Sequence, residues 1–271
     1  MSGKTAWITG ASSGIGEGLA KEWLARGGRC VLSGRNVAAL EAVAAHAPDR
    51  CLVLPFESTD YAAIPALVEK AVAFAGNVDV LVNNAGISQR SLAVDTAFPV
   101  YQKIVDVDLL APIALTQALL PHMVARGSGQ LVMISSVAGK VGSPMRTAYS
   151  AAKHGLIGYS DALRAETAGL GLKVLVVTPG SVRTGVSVNA LTSDGSTRGV
   201  SDAAIENGYP PEFAAQKIWE AVDADTRELL IAEGMEAAIV DLRAKEPDKL
   251  FDMMEAMVAQ GYAQKMAAEN N

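Results

Sequence analysis

Thr5-Ala6-Trp7-Ile8-Thr9-Gly10-Ala11-Ser12-Ser13-Gly14-Ile15-Gly16 is the stretch from which the rest of the chain can be read. Its first five residues are apolar or β-branched, the composition of a buried strand. Three glycines then punctuate a short turn, and helical periodicity takes over across 16–26. A strand that turns through glycines into a helix lets its backbone approach a charged group closely, and the first amides of the helix face that group. The stretch therefore predicts a pyrophosphate cradle, formed by Gly10, Ser12, Ser13, Gly14, Ile15 and Gly16. The spacing Gly-x-x-x-Gly-x-Gly differs from the Gly-x-Gly-x-x-Gly of the longer dinucleotide-binding fingerprint.

The same rhythm continues outward. Short apolar runs at 29–33, 51–55, 80–83, 130–135, 174–178 and 229–232 alternate with helical segments at 37–45, 61–74, 100–125, 148–170 and 211–224. Several of the runs are apolar throughout, as strands are when helices cover both faces of a sheet. The pattern predicts an α/β fold: a doubly wound, parallel, seven-stranded sheet in one domain over 1–271. Residues 181–209 break the rhythm with Ser, Thr, Asn, Asp and Gly, and a loop of that length is usually functional; 180–209 is read as a substrate loop. Residues 235–271 are helical in character and carry Met253, Met254, Met257 and Met266, which predicts a packed C-terminal helix pair or, alternatively, a flexible wall over an apolar substrate.

Half of the 271 residues are hydrophobic and 19% are charged, enough apolar content for a large core. A formal charge of −6 argues against nucleic acid as a partner, which requires a concentrated basic face. The apolar run Ala6 to Ile8 is too short for a signal or a membrane span, and a cytoplasmic location with no membrane span is the expectation. Cys30 and Cys51 sit in apolar runs and read as core thiols, not a disulfide. His46, His122 and His154 have no ligand-like spacing, so no metal site is expected.

Four motifs in order carry a family resemblance: Thr9 to Gly16; Asn83-Asn84-Ala85-Gly86; Ser136 followed by Tyr149-Ser150-Ala151-Ala152-Lys153; and Pro179-Gly180 with Thr184. Together they resemble the short, single-domain type of short-chain dehydrogenase/reductase, from about Thr5 to Ala232, and 184–196 is loosely similar to the branch containing dehydrogenase/reductase family member seven. The resemblance implies a Rossmann fold, a nicotinamide cofactor and a homodimer or homotetramer built on the helices 100–125 and 148–170. It implies that Asn84 and Asn83 lie beside the adenine ribose, with Ala85 and Gly86 letting the backbone pass. It places Glu57 near the adenine and counts Ser58, Pro179, Gly180, Val182 and Thr184 among the cofactor-binding positions. The family commonly has Asp where Glu57 stands. It also commonly has Asn at the position of Asp108, where a helix bends and a proton relay passes Lys153; Asp108 would accept the same hydrogen bonds but add charge, or be a plain helix residue.

Cofactor choice is read at the end of the second strand, Ser33-Gly34-Arg35-Asn36. No carboxylate stands there to pair with a ribose diol, and Arg35 is a planar cation suited to a 2′-phosphate, unless it is a solvated loop residue. NADP is expected ahead of NAD.

Tyr149 and Lys153, four apart on a helix, share one face. An ordinary phenol is a poor base at neutral pH, and a neighbouring ammonium favours its ionised form. Tyr149 is the expected proton donor or acceptor, Lys153 its electrostatic partner and a holder of the nicotinamide ribose, and Ser136, at the end of the fifth strand, the hydrogen-bond donor to the reacting oxygen. The substrate-facing stretches 88–92, 137–145 and 180–189 mix small and apolar residues without a cluster of cations, which predicts a neutral, apolar ketone or aldehyde as the carbonyl or alcohol substrate. Two other readings are a nucleotide-sugar epimerase or dehydratase, which the glycine spacing disfavours, and a non-catalytic dinucleotide sensor, which Ser136, Tyr149 and Lys153 argue against.

Overall fold

A computed structural model describes residues 3–268. Its strands are β1 (Thr5–Thr9), β2 (Arg29–Ser33), β3 (Cys51–Val53), β4 (Val80–Asn83), β5 (Gly129–Ile134), β6 (Leu172–Pro179) and β7 (Glu228–Ile231). They form one parallel sheet in the order β3-β2-β1-β4-β5-β6-β7. The order reverses between β1 and β4, and in such sheets ligands bind in the crevice at that reversal, beyond the carboxyl ends of the strands.

The helices are α1 (Gly14–Ala25), α2 (Val37–Ala44), α3 (Ile64–Ala75), α4 (Phe98–Val105), α5 (Ala111–Arg126), α6 (Thr147–Thr167), α7 (Ala203–Glu206), α8 (Pro211–Asp223), α9 (Gly234–Lys245), α10 (Pro247–Ala259) and α11 (Tyr262–Ala268). Strand residues alternate between two cores. Ala6, Ile8, Cys30 and Leu32 face Leu19, Trp23, Ile218 and Trp219 of α1 and α8. Trp7, Val31 and Leu81 face Leu67, Leu115, Leu119 and Leu156 of α3, α5 and α6. Trp23 and Trp219 bring α1 and α8 together with ring centroids 4.4 Å apart.

Three expectations are corrected. The run 51–55 is strand only through Val53: the Leu54 and Phe56 amides still donate to Leu32 and Gly34, but Pro55 between them has no amide hydrogen for a ladder. The single helix expected over 100–125 starts at Phe98 and widens into a π-helical turn at Asp106–Leu110 between α4 and α5. Such turns gather at functional sites, and this one carries Asp108. The C-terminal segment forms three helices instead of a packed pair: α9 buries no residue and α10 only Leu250, with Met253 and Met257 exposed and Met266 buried. Among the described residues one run, 98–126, is long and apolar enough to cross a membrane; its Ile104, Leu115, Leu119 and Met123 lie inside the core.

Candidate active site

The glycine turn closes against the end of β4. Gly10 and Gly14 have φ of +66° and +56°, a region costly for any residue with a Cβ. The Thr9 hydroxyl accepts from the amides of Asn84 (2.9 Å) and Ala85 (3.0 Å), and the Asn84 side chain donates to the Thr9 carbonyl (2.9 Å). Asn84 thus pins the turn itself. Asn83 points the other way, into the core, where it donates to Thr116 Oγ1 at 3.0 Å. Thr9 heads the quoted motif, yet nothing in a strand-like residue signals this joining role.

Ser13 caps α1 by position, but its side chain makes no capping bond and is exposed. The first turn of α1 therefore presents free donors, as an anion requires. Gly14, Arg183, Thr184, Gly185 and Pro211 line a cleft of about 440 Å³ beside it. Arg183 adds a cation that the sequence reading did not single out. Ser12 and Ile15 are partly buried, Ile15 against the α1–α8 core. A smaller pocket at the reversal is lined by Thr9, Phe56, Ser58, Asn83 and Ala85. Val182 is buried in the core, so only its backbone faces the loop.

Arg35 is largely exposed at the end of β2, with its Nη1 3.7 Å from Glu57 Oε2. The two residues therefore meet at the rim of the crevice, beyond Gly34, with the cation reaching further into solvent. This arrangement suits a group that approaches from outside and competes with Glu57 for the guanidinium.

At the end of β5, Lys153 is buried with its Nζ donating to the Ile134 carbonyl at 3.0 Å and lying 3.2 Å from Asp108 Oδ2. Nζ also stands 5.6 Å from the centre of the Tyr149 ring. Asp108 is fully buried; its Oδ1 accepts from the Ile87 amide at 2.8 Å, while Oδ2 has the ammonium nearby but no aligned donor. Burial raises the Asp108 carboxyl above its ordinary range, against the pull of Lys153 and the Ile87 amide. Burial works to lower Lys153, but the charges of Asp108 and Tyr149 outweigh it and raise the ammonium.

Ser136, two residues past β5, is partly buried and lies 3.4 Å from the Pro179 carbonyl. Its Oγ also accepts from the Ala138 amide at 3.1 Å. Ser135 turns inward and donates to the Lys153 carbonyl at 2.9 Å, fastening α6 to the strand end. Half-buried Tyr149 packs on an apolar cluster of Val100, Ile104, Ala148, Ala152 and Leu191, with Ile87 alongside.

Cations gather at the edge of the substrate-facing stretches, Arg90 within 88–92 and Arg146 and Arg198 outside all three. Arg90, Arg146 and Arg198 converge on Asp202: Arg90 Nε reaches its Oδ2 at 2.8 Å, Arg146 Nη2 at 3.3 Å, and Arg198 pairs with Oδ1. Arg90 and Asp202 are 112 residues apart, so no local pattern announced the pairing. Burial alone would raise the Asp202 carboxyl, but the guanidiniums outweigh it and hold it below the ordinary range.

Comparison with known proteins agrees with this geometry. The profile of the short chain dehydrogenase family matches residues 4–194. A mouse protein named dehydrogenase/reductase SDR family member 7B is 39% identical over 257 residues, 91% of this chain and 79% of its own. Its Xenopus laevis counterpart is 39% identical over 261 residues, 92% of this chain and 80% of its own. The crystal structure of a short-chain dehydrogenase from Streptomyces avermitilis superposes with a TM-score of 0.77 at 32% identity, covering 96% of this chain and 99% of that one. A short chain dehydrogenase/reductase from Burkholderia phymatum, solved in complex with NAD, shares the fold with a TM-score of 0.81 at 21% identity, covering 91% and 95%.

Proposed function

The chain belongs to the short-chain dehydrogenase family, and from that premise we propose that it is an NADP-dependent oxidoreductase acting on a neutral, apolar ketone or aldehyde, or on the matching secondary alcohol. The observation that supports the chemistry is that Lys153 Nζ, 5.6 Å from the centre of the Tyr149 ring, is hydrogen-bonded to Ile134, the last residue of β5, two residues before Ser136. NADP is favoured by exposed Arg35 and by the absence of an acid at Gly34. The apolar substrate is favoured by the cluster around Tyr149 and by the commitment of Arg90 to Asp202.

The residues present suit such a coenzyme. Gly10 to Gly16 offer close backbone approach and free helix donors, Arg183 and Thr184 wall the cleft opposite, and Arg35 stands at the adenine end. When bound in this cradle, a nicotinamide would supply or accept the hydride. Tyr149 gives a proton to the carbonyl oxygen in reduction, or takes it from the hydroxyl in oxidation. Ser136 turns its hydroxyl from Pro179 to the same oxygen and stabilises the charge that develops there. Lys153 holds a positive charge beside the Tyr149 ring, which favours the phenolate left after proton donation.

Spectrophotometric turnover of NADPH and NADH against a panel of carbonyls tests the reading, with Tyr149→Phe as the control. Turnover should fall about 100-fold to 10,000-fold on losing this acid and base, while NADPH affinity holds. Near-parent turnover in Tyr149→Phe would refute the mechanism. Self-association through exposed Phe98 and Leu110 on the long helices is part of the proposal; sedimentation as a monomer at micromolar concentration would remove that part.

A further inference from the structure

We propose that Glu236, on α9 of the C-terminal extension, is a positioning residue for the coenzyme, holding the turn Gly180–Ser181 on which the dinucleotide cleft closes. The inference rests on the coenzyme reading above and asks what the extension contributes to it.

Glu236 grips this turn with both carboxylate oxygens. Oε2 accepts from the Ser181 amide at 2.9 Å and Oε1 from the Ser181 hydroxyl at 2.7 Å. A Cβ built on Gly180 would overlap Glu236 Oε2 and come within 3.2 Å of the Ala232 Cβ. The carboxylate therefore occupies the volume a side chain on Gly180 would need, and the two positions are matched to each other. Gly180 is not in the left-handed region, so close approach and not backbone conformation is what requires a glycine here.

The turn stands at a junction. Upstream, Gly180 donates to the Ile231 carbonyl at 2.9 Å and the carbonyl of Pro179 lies beside the Ser136 hydroxyl. Downstream, the Ser181 carbonyl accepts from the Tyr209 amide at 3.0 Å and the Arg183 amide donates to Tyr209 at 2.9 Å. Arg183 and Thr184, the next residues along, wall the 440 Å³ cleft opposite Gly14. Shifting Ser181 thus moves the wall of the cleft.

Core burial does not explain why α9 docks here, since it buries no residue. Its attachment is polar: Glu236 on Ser181, and Glu233, two residues past β7, on the Tyr209 phenol, which that hydrogen bond raises. Both acids meet the two ends of the loop 180–209. A charge-assisted pair of this kind is worth more than a neutral one, and both of its bonds are lost when the side chain is truncated to Ala.

The test measures NADPH affinity by fluorescence titration, with thermal unfolding of the coenzyme-free protein in parallel, for the full-length parent, Glu236→Ala, Glu236→Gln, Gly180→Ala and the double variant Gly180→Ala/Glu236→Ala. Glu236→Ala should weaken NADPH about tenfold or more while the coenzyme-free midpoint moves by no more than about 4 °C. Glu236→Gln, which retains an acceptor for Ser181, should recover most of the affinity. Gly180→Ala should weaken NADPH alone, and the double variant should bind no worse than Glu236→Ala, because the collision is gone. Parent affinity in Glu236→Ala, or loss of affinity and coenzyme-free stability together, overturns the proposal. A parent protein that binds neither NADPH nor NADH defeats the coenzyme reading itself, a result separable from either.

Discussion

Asp108 Oδ2 lies 3.2 Å from Lys153 Nζ, and the same Nζ stands 5.6 Å from the centre of the Tyr149 ring, so the ammonium that faces the phenol is shared with a buried carboxylate. Removing that carboxylate's charge while keeping its shape should strengthen the ammonium's hold on the phenolate. Asp108→Asn retains an acceptor for the Ile87 amide. The pH–rate profile for alcohol oxidation is therefore expected to move to lower pH in Asp108→Asn. An unmoved profile would show that the charge of Asp108 is not felt at the proton-transfer step.

Arg35 and Glu57 make a second prediction. Arg35→Ala should raise the dissociation constant of NADPH far more than that of NADH, by about 1.5–3 kcal/mol for a lost charge-assisted bond. Glu57 stands 3.7 Å from the guanidinium in a solvated pair worth at most about 1 kcal/mol, so Glu57→Gln should tighten NADPH slightly. Equal affinity of the parent for the two coenzymes would remove the NADP assignment.

Asp202 compensates three arginine side chains, two of them almost wholly buried with it. Asp202→Asn removes the carboxylate that buried Arg90 pairs with and should cost about 3–5 kcal/mol, as breaking a buried pair does. The sign with pH follows from a carboxyl whose folded value is depressed: its stabilisation is present above the unfolded value of about 3.9 and is lost as pH falls through the folded one. Denaturant titrations should therefore show the parent's advantage at pH 7 shrinking on acidification below about pH 4. A gap between the two proteins that stays constant down to pH 3 would contradict the linkage.

Much of the frame is legible in the sequence because it is local. The bounds of β1, β2 and β4 follow from short apolar runs, and the cradle from glycine placement. What was not legible is set by partners far along the chain. β6 runs from Leu172 to Pro179, longer than its apolar run suggests, because β5 and β7 pair with it on either side. The π-helical turn holding Asp108 has the composition of plain helix, and periodicity cannot distinguish the two. Asn83 and Asn84 are adjacent and chemically identical, and only the pleat decides that one faces Thr116 while the other grips the glycine turn. Cys30 and Cys51, distant in sequence, stand directly opposite on β2 and β3, a register no spacing rule reveals.

The loop between β6 and α8 is fastened at Ser181 and Tyr209, at Asp202, and at Leu191, whose amide and carbonyl bond Ser88 and Arg90, while the tip from Thr192 to Ser196 is closed by bonds of its own. Closing a longer span between fixed anchors costs little more than closing a short one. Exchanges at the exposed tip, Asp194 and Ser196, can reshape the outer edge of the loop without touching Leu191, which packs beside Tyr149. The outer tip of the loop is in this sense a replaceable part, whereas the segment at Leu191 is tied to the surroundings of Tyr149.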